Sequence, residues 1–269
     1  MMQLKDQTAV VTGAASGIGR ATALSLARRG THLALADVNE DGLAETAAQA
    51  VAHGVRVTTH GLDVSDPAAV AAFPTAVNAG HPGVGLLFNN AGVALGGNFE
   101  EVSAEDFEWL FGVNFWGVVR MTRAFLPLLR QAKAARVVNI SSMFGLIAPP
   151  GQAAYSASKF AVRGFSEALR HELAGSNVGV TTVHPGGVAT RIATDARRSS
   201  AVSPAELARQ QARFARLLKM PPEQAGEIIV SGVEREEARI LVGSDAKIGD
   251  LAARLFPVGY WKWMTRMTR

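Results

Sequence analysis

The stretch TGAASGIG (12–19) joins a strand-like run, TAVVTG (8–13), to a helical stretch at 19–30. Its three glycines, Gly13, Gly17 and Gly19, would let the backbone turn tightly and approach the pyrophosphate of a dinucleotide at the positive end of the helix. The spacing is GxxxGxG, which only approximates the fingerprint GxGxxG. The alternative is a tight strand–helix turn that binds nothing. The turn therefore favours a dinucleotide site at the start of a parallel α/β sheet.

Short apolar or β-branched runs alternate with helical stretches along the chain. The predicted strands are 8–13, 32–37, 55–63, 84–92, 135–142, 178–187 and 239–243, and the clearest helices between them are 19–30, 40–54, 111–131 and 153–174. Such alternation predicts a parallel sheet with helices on both faces, and right-handed crossovers make it doubly wound. No stretch rich in Pro, Gly or Ser divides the chain. Residues 1–269 are therefore predicted to form one α/β domain.

Local signals mark several helix ends. Asp66 followed by Pro67 is typical of a helix start, with proline at the first helical position. Ser103 and Asp106 have the spacing of a capping box. Pro127 lies inside the predicted helix 111–131 and is expected to kink it or fray its second half.

Composition excludes some classes of chemistry. The chain has no cysteine, so disulfides, thiolate catalysis and cysteine-ligated metals are excluded. Its six histidines show neither HxxxH nor HExxH spacing, and no metal site is expected. The net charge is only +4 and the basic residues are spread along the chain, which argues against nucleic-acid binding.

No targeting or membrane-spanning segment is expected. The start, MMQLKDQTAVVTG, carries charges at Lys5 and Asp6 and has no apolar signal-peptide core. No stretch approaches 18 uninterrupted apolar residues. The sequence therefore predicts a cytoplasmic protein.

Asp37, at the end of the second predicted strand, favours NAD over NADP. A carboxylate there can accept hydrogen bonds from the adenosine ribose and would repel a 2′-phosphate. Neither Ser16 nor Val38 supplies a positive charge for that phosphate, and Arg20 is a weaker candidate because it lies in the helix start. Asp37 can also cap the following helix, and the two roles are compatible.

YSASK (155–159) places Tyr155 four residues before Lys159, on one face of a predicted helix. A phenol is a poor base at neutral pH, and a nearby ammonium group would lower its pKa. Ser142 ends the fifth predicted strand, at the sheet edge where ligands bind, and could hold a substrate oxygen. Each feature alone has a structural alternative: a turn cap for Ser142, an exposed helix face for the pair. Their occurrence together with a dinucleotide turn favours an oxidoreductase.

Several motifs in this order resemble the short-chain dehydrogenase/reductase family from residue 8 to about residue 243. They are TGAASGIG (12–19), LDV (62–64), NNAG (89–92), VNFWG around Asn114, NISS (139–142), YSASK (155–159) and HPGGVAT (184–190). The resemblance implies a seven-stranded, doubly wound, Rossmann-type parallel sheet. It also implies hydride transfer between a nicotinamide and a C–OH/C=O pair.

The resemblance assigns roles to individual residues. Tyr155 would be the catalytic acid/base, and Lys159 would lower its pKa and bind the nicotinamide ribose. Ser142 would orient the substrate oxygen together with Tyr155, and Asn114 would support a water relay to Lys159. With the glycine turn and Asp37, the expected cofactor-binding set is Gly13, Ser16, Gly17, Ile18, Gly19, Asp37, Asp63, Val64, Asn89, Ala91, Gly92, Tyr155, Lys159, Pro185, Gly186, Val188 and Thr190.

The function expected is hydride transfer between NAD(H) and a secondary alcohol or ketone. Residues 190–222 lie where the family places its substrate lid, and apolar side chains there and at 143–146 favour a lipid-like, steroid-like or aromatic substrate. Ordinary core packing would explain the same residues equally well. The alternatives are an NADPH-dependent carbonyl or 3-oxoacyl reductase and a non-catalytic dinucleotide sensor.

The C-terminal extension, about 244–269, ends in LFPVGYWKWMTRMTR. Its aromatic and basic residues can lie on an anionic membrane surface, cap the active site or pack against another subunit. Pro257 argues against the membrane reading because it would interrupt an anchoring helix. By analogy with the family, the protein is expected to be a homodimer or homotetramer.

Overall fold

A computed structural model describes residues 1–198 and 218–267. Its strands, in chain order, are β1 Thr8–Thr12, β2 His32–Asp37, β3 Val57–Gly61, β4 Leu86–Asn89, β5 Leu95–Gly96, β6 Ala135–Ile140, β7 Val178–Pro185, β8 Arg197–Arg198 and β9 Arg239–Val242. Seven of them form one parallel sheet in the order β3-β2-β1-β4-β6-β7-β9. The predicted seven-stranded, doubly wound sheet is confirmed. The predicted strand 55–63 is too long at both ends, since β3 is Val57–Gly61, whereas 84–92 runs from β4 into a loop, as expected.

The helices cover both faces of the sheet. They are α1 Gly17–Arg28, α2 Glu40–Val51, α3 Pro67–Gly80, α4 Ala104–Phe111, α5 Val118–Leu129, α6 Ala153–Glu172, α7 Pro222–Glu234, α8 Ser244–Leu255 and α9 Tyr260–Met267. One apolar cluster packs α1, α2 and α7 on one face, and a second packs α3, α5 and α6 on the other. Because both faces are covered, the central strands are buried on both sides and are built mostly of apolar residues.

The chain reverses its winding direction at the centre of the sheet. From β1 it proceeds outward through β2 to β3, then returns to β4 on the other side of β1 and continues outward to β9. In sheets of this kind a crevice opens beyond the carboxyl ends of the strands at the reversal point. The glycine turn after β1 and the loop after β4 border that crevice.

Helix starts follow the local signals. Asp66 accepts hydrogen bonds from the amides of Ala68 and Ala69, and Ser103 accepts one from the amide of Asp106. The predicted helix 111–131 is confirmed in its second part, α5, which includes Pro127, whereas its first part is a π-helical turn, Gly112–Gly117, between α4 and α5. That π turn carries Asn114 and is a feature often found at functional sites.

Two segments lie outside the main sheet. Strands β5 and β8 pair in parallel through Leu95 with Arg197 and Gly96 with Arg198. Helices α8 and α9 form the C-terminal hairpin. In the ranges 1–198 and 218–267, no helix combines the length and apolarity needed to cross a bilayer. The sequence SPAE (203–206) is typical of a capped helix start, and it lies outside the described residues.

Candidate active site

The glycine turn after β1 has a backbone that side chains would block. Gly13 and Gly17 have φ angles of +65° and +54°, in the left-handed region that favours glycine. A Cβ atom on Gly13 would lie 2.7 Å from Nδ2 of Asn90, and one on Gly19 would collide with the Gly13 carbonyl. The turn therefore keeps its backbone close to the loop after β4.

The amino end of α1 has no side-chain cap. Ser16 is its N-cap residue, but the Ser16 side chain makes no capping hydrogen bond, whereas Asn39 caps α2. The first amides of a helix need acceptors, and a pyrophosphate provides them. Thr190 reaches this turn as well, because a Cβ on Gly17 would lie 3.0 Å from Thr190 Cγ2.

Thr12 and Asn90 join the glycine turn to β4; Asn90 lies in the NNAG motif expected to line the adenosine side, whereas Thr12 was not among the expected residues. Asn90 Nδ2 donates to the carbonyls of Thr12 at 2.9 Å and Gly13 at 3.1 Å. The Thr12 hydroxyl accepts from the amides of Asn90 and Ala91 at 3.0 Å. The NNAG motif was recognised, but the partner of each asparagine is a matter of tertiary packing.

Asp37 lies beside the turn, as expected. Its carboxylate accepts hydrogen bonds from the amides of Ala15 and Asn39, each at 3.0 Å. It does not cap α2 directly, because Asn39 is the N-cap and accepts from the Gly42 amide. Asp37 thus fixes both the glycine turn and the loop after β2.

Arg20 is engaged elsewhere. Its guanidinium donates to the Ala15 carbonyl at 2.6 Å and the Thr46 hydroxyl at 2.9 Å, and it forms an ion pair with Glu45 at 2.8 Å. Arg20 is thus held by Ala15 in the glycine turn and by Thr46 and Glu45 on α2.

The side chains of three expected cofactor residues make their contacts within the protein. The Asn89 side chain is buried and donates to Thr122 and Asn139. The Val64 side chain is buried against Gly117. Asp63 is exposed and accepts from the amide and hydroxyl of Ser65. Direct contact of these positions with a cofactor stays a prediction.

Ser142, Tyr155 and Lys159 come together at the carboxyl edge of β6. Ser142 follows β6 and accepts a hydrogen bond from the Phe144 amide at 3.1 Å. Tyr155 and Lys159 lie one turn apart in α6, with Lys159 Nζ 5.7 Å from the centre of the Tyr155 ring. The Ser141 hydroxyl donates to the Lys159 carbonyl at 2.8 Å and attaches α6 to the end of β6. The three predicted catalytic side chains therefore share one site.

The lowering of the Tyr155 pKa by Lys159 stays a prediction, and burial acts in the opposite direction. Burial raises the pKa of the Tyr155 phenol, and its hydrogen bond with Ser142 opposes that rise only in part. The Lys159 ammonium group donates to the Ile140 carbonyl at 3.1 Å. Desolvation is therefore the larger effect on Tyr155.

Lys159 is itself perturbed. It is buried, with 3% of its surface exposed, and burial lowers its pKa from 10.5 to about 8. Its Nζ lies next to Gly92, where a Cβ atom would be 3.3 Å from Nζ and 3.2 Å from Oδ1 of Asn114. Gly92 thus leaves room for the lysine and the asparagine to meet.

Asn114 is fully buried in the π turn. Its Oδ1 accepts from the Val93 amide at 2.8 Å, and its Nδ2 donates to the Val93 carbonyl at 3.0 Å and the Ser158 hydroxyl at 3.2 Å. Ser158 in turn donates to the Tyr155 carbonyl at 2.8 Å. This network attaches the first turn of α6 to the loop after β4; the relay role of Asn114 stays a prediction.

The loop after β7 lies at the carboxyl edge of the sheet, beside the glycine turn. A Cβ on Gly186 would collide with the Asp245 carboxylate, which also accepts a hydrogen bond from the Gly187 amide. Asp245, at the start of α8, was missed by the sequence analysis. The buried Val188 packs in the core and bridges to Met220. The predicted residues Pro185, Gly186, Val188 and Thr190 therefore line a fixed turn.

His184 is a further residue that was not expected at the site. It is fully buried, its Nδ1 lies 3.0 Å from the Ser142 carbonyl oxygen, and its Nε2 has no partner. Burial lowers the pKa of His184 to about 4, so the ring is neutral at pH 7. A neutral ring with Nδ1 protonated donates to that carbonyl and holds the segment carrying Ser142 in place.

The start of the predicted lid folds over the loop after β4. The guanidinium of Arg197 stacks 3.7 Å from the centre of the Trp109 ring and pairs with Asp106 at 3.2 Å. The Arg197 amide donates to the Ala94 carbonyl at 3.0 Å. Beyond the residues left undescribed, the amides of Lys219 and Met220 donate to the Gly187 carbonyl. Both ends of the lid are thus attached at the crevice.

Apolar side chains surround Tyr155. Phe144 meets its ring edge to face at 6.1 Å, and a small apolar cluster of Leu95, Leu110 and Ala154 packs against the other side. Leu146 is buried, and Met143 contacts α8. Phe214 and Leu217, which were expected to contribute, lie outside the described residues.

Comparison with known proteins agrees with this geometry. A model of the short chain dehydrogenase family matches residues 7–201. The protein SadH of Mycobacterium tuberculosis is 46% identical over 264 residues, which cover 97% of this chain and 94% of SadH.

Solved structures agree as well. A short chain dehydrogenase/reductase from Burkholderia phymatum in complex with NAD is 38% identical, with a TM-score of 0.84 over 90% of each chain. An alcohol dehydrogenase from Thermococcus sibiricus complexed with 5-hydroxy-NADP is 28% identical, with a TM-score of 0.72 over 88% of this chain and 94% of that one. The fold, the Ser–Tyr–Lys site and these matches together make the chain a member of the short-chain dehydrogenase/reductase family, an oxidoreductase of CH–OH or carbonyl substrates.

Proposed function

We propose that this protein transfers hydride between NAD(H) and an apolar secondary alcohol or ketone. The observation that carries the proposal is the convergence of Ser142, Tyr155 and Lys159 at the sheet edge that also carries the glycine turn, which donates a hydrogen bond to Asp37. The start of α1, which has no side-chain cap, fits a dinucleotide pyrophosphate, because the phosphate oxygens would accept hydrogen bonds from its first amides.

A nicotinamide bound here would supply or accept the hydride. Tyr155 transfers the proton: its hydroxyl gives a proton to the oxygen of a ketone, or its phenolate takes one from an alcohol. The Ser142 hydroxyl, hydrogen-bonded to Tyr155, holds the same substrate oxygen. Lys159, between the Ile140 carbonyl and Gly92, provides a positive charge at the ribose side of the site.

The environment of Asp37 supports NAD over NADP. A carboxylate at this position suits two ribose hydroxyls and repels a phosphate. The nearest guanidinium, Arg20, is held by Glu45 and Thr46 on α2. Neighbouring Val38 is 70% exposed and carries no charge. Similar structures contain NAD in one case and an NADP derivative in another, so the preference is tested by measuring the dissociation constants of both cofactors.

An apolar substrate is supported by the side chains next to Tyr155. Phe144 and the cluster around Leu95 give the reacting centre apolar walls, and apolar walls with one polar anchor are typical of small-molecule sites. A lipid-like, steroid-like or aromatic alcohol suits such walls.

The test is a screen of secondary alcohols and ketones of increasing apolar size with NAD(H) and NADP(H), followed by nicotinamide absorbance. Tyr155→Phe removes the proton-transferring hydroxyl and should lower kcat by at least about 100-fold. The matched control is Tyr260→Phe, the same change at the only other tyrosine. Equal activity of wild type and Tyr155→Phe would overturn the mechanism.

Two alternatives give different results in the same assays. An NADPH-dependent carbonyl or 3-oxoacyl reductase would bind NADP(H) more tightly than NAD(H). A non-catalytic sensor would bind the dinucleotide but turn over no substrate. The buried, perturbed Lys159 argues for catalysis, because burying an ammonium group costs free energy that a binding turn alone does not require.

We also propose that the protein assembles as a homodimer or homotetramer. The half-exposed aromatic residues Trp116, on the π turn, and Phe160, on α6, support a subunit contact, since large apolar side chains are enriched at such interfaces. Light scattering coupled to size exclusion would measure the assembly. The cytoplasmic location remains a prediction.

A further inference from the structure

Helix α8 presents its large apolar side chains to solvent. Its buried face is made of Ala246, Gly249 and Ala252. On the opposite face, Ile248, Leu251 and Leu255 are 45%, 57% and 63% exposed. A surface helix normally has the reverse arrangement, with polar residues outside. The spacing i, i+3, i+7 aligns the three exposed side chains in one row.

The turn after α8 and the helix α9 extend this row. Phe256 is 47% exposed, Val258 is 96% exposed and Trp263 is 37% exposed. The rings of Phe256 and Trp263 stack with their centres 6.2 Å apart. We call the six residues Ile248, Leu251, Leu255, Phe256, Val258 and Trp263 the C-terminal apolar patch. Contiguous exposed patches of this kind mark interaction sites.

The charges around the patch are mainly positive. Lys247 and Arg254 lie on α8, and Lys262 and Arg266 lie on α9. The two acidic residues of the hairpin are engaged. The carboxylate of Asp250 pairs with Arg239 and Arg254, and that of Asp245 accepts hydrogen bonds from the Gly187 and Ala246 amides.

The patch is attached to the segment that follows the catalytic serine. The Tyr260 hydroxyl accepts a hydrogen bond from the Ala148 amide at 2.9 Å. A Cβ on Gly249 would lie 3.4 Å from Met143. These contacts hold the hairpin as part of the folded domain, so the patch is a fixed surface.

We propose that the C-terminal apolar patch docks on the surface of an anionic lipid bilayer. Its aliphatic and aromatic side chains would enter the acyl boundary while Lys247, Lys262 and Arg266 meet the lipid phosphates. Pro257 lies in the turn between α8 and α9, so the C-terminal extension is a hairpin and not one continuous helix, as expected from the sequence. The proposed contact therefore uses the side of a folded hairpin rather than a single anchoring helix.

A second copy of the chain is a poorer occupant of the patch. A two-fold contact would place the same surface on both partners and bring their lysines and arginines together. The acidic groups that could neutralise them, Asp245 and Asp250, are already held within the subunit. An anionic bilayer complements both the apolar row and the charge.

The test is co-sedimentation of the full chain with vesicles, which is independent of enzyme activity. One set of vesicles contains equal parts of phosphatidylglycerol and phosphatidylcholine, and the other contains phosphatidylcholine alone. The protein should bind the anionic vesicles at least about tenfold more tightly, and high salt should weaken that binding.

Variants then map the surface. Leu251→Ser should weaken binding at least about fivefold, and Lys262→Glu/Arg266→Glu should weaken it at least about tenfold. Val51→Ser is the matched control, because Val51 on α2 is 54% exposed and lies outside the patch. Circular dichroism checks that each variant is folded.

Three results would overturn the proposal. Wild type could fail to bind anionic vesicles, or Val51→Ser could lose as much binding as Leu251→Ser. Alternatively, Leu251→Ser could dissociate an oligomer, measured by light scattering, without changing vesicle binding. That last result would assign the patch to a second copy of the chain.

Discussion

The ammonium nitrogen of Lys159 lies 5.7 Å from the centre of the Tyr155 ring, one helical turn further along α6. It is held by the Ile140 carbonyl, and burial lowers its pKa from 10.5 to about 8. A depressed lysine pKa means that the charged form is less stable in the folded protein than in the unfolded chain. At neutral pH this costs about 3 kcal/mol of folding free energy.

Lys159→Met should therefore inactivate the enzyme without destabilising it. Below pH 8 the variant should be as stable as wild type or more stable. As pH rises from 8 to 10.5 the wild type should gain on the variant, because its lysine then loses the proton that burial disfavours. Urea denaturation at pH 7 and 9.5 measures this. A variant that is less stable at pH 7 by several kcal/mol would contradict the expected burial cost.

The raised pKa of Tyr155 predicts opposite pH dependences for the two directions of the reaction. Burial keeps the phenol protonated at neutral pH, ready to donate to a ketone oxygen. Alcohol oxidation needs the phenolate, so kcat/KM for oxidation should rise with pH above 7, while that for reduction should fall at high pH. Steady-state rates in both directions check this. An oxidation rate that is flat between pH 7 and 10 would contradict it.

Asp37→Ala should reduce the preference for NAD over NADP by at least about tenfold. The change removes the carboxylate that opposes a 2′-phosphate and releases the Ala15 amide in the glycine turn. Both dissociation constants are measured by quenching of intrinsic fluorescence. Asp41→Ala, an exposed carboxylate in the first turn of α2, is the matched control and should leave the ratio unchanged.

Two buried histidines should make the protein sensitive to mild acid. Burial lowers the pKa values of His81 and His184 from 6.5 to about 4. A lowered histidine pKa means that the unfolded chain binds the proton first, so stability should fall as pH drops from 6.5 towards 4, by about 3 kcal/mol for each ring.

His184→Gln should remove the His184 part of that loss, while His171→Gln, at an exposed position on α6, should not. Thermal melting temperatures between pH 7 and 4.5 give the comparison. If His184→Gln were as acid-sensitive as wild type, the neutral buried state of His184 would be wrong. We expect His184→Gln to stay active at pH 7 only if the glutamine amide donates a hydrogen bond to the Ser142 carbonyl, as the histidine ring does.

Local patterns were sufficient for the fold. Alternating apolar strands and amphipathic helices allow few arrangements other than a covered parallel sheet, since each face must be buried. The glycine turn, Asp66, Ser103 and the Tyr155–Lys159 spacing depend on residues close in sequence, and all four were readable without coordinates.

Other features needed the folded chain because they depend on distant partners. Thr12 meets Asn90 across 78 positions, and Asp245 meets Gly187 across 58. The π turn that carries Asn114 was not predicted either, because six residues are too few for the sequence pattern to distinguish a π turn from an α-helix.

The sequence by itself determined the parallel sheet, the glycine turn and the pairing of Tyr155 with Lys159, because each follows from residue type and short-range spacing. Only the tertiary structure decided how those residues are charged and which surface is left exposed. Burial, which raises the pKa of Tyr155 and lowers that of Lys159, is a property of the assembled core. The outward row of Ile248, Leu251 and Leu255 likewise appears only once the small face of α8 has packed against the domain.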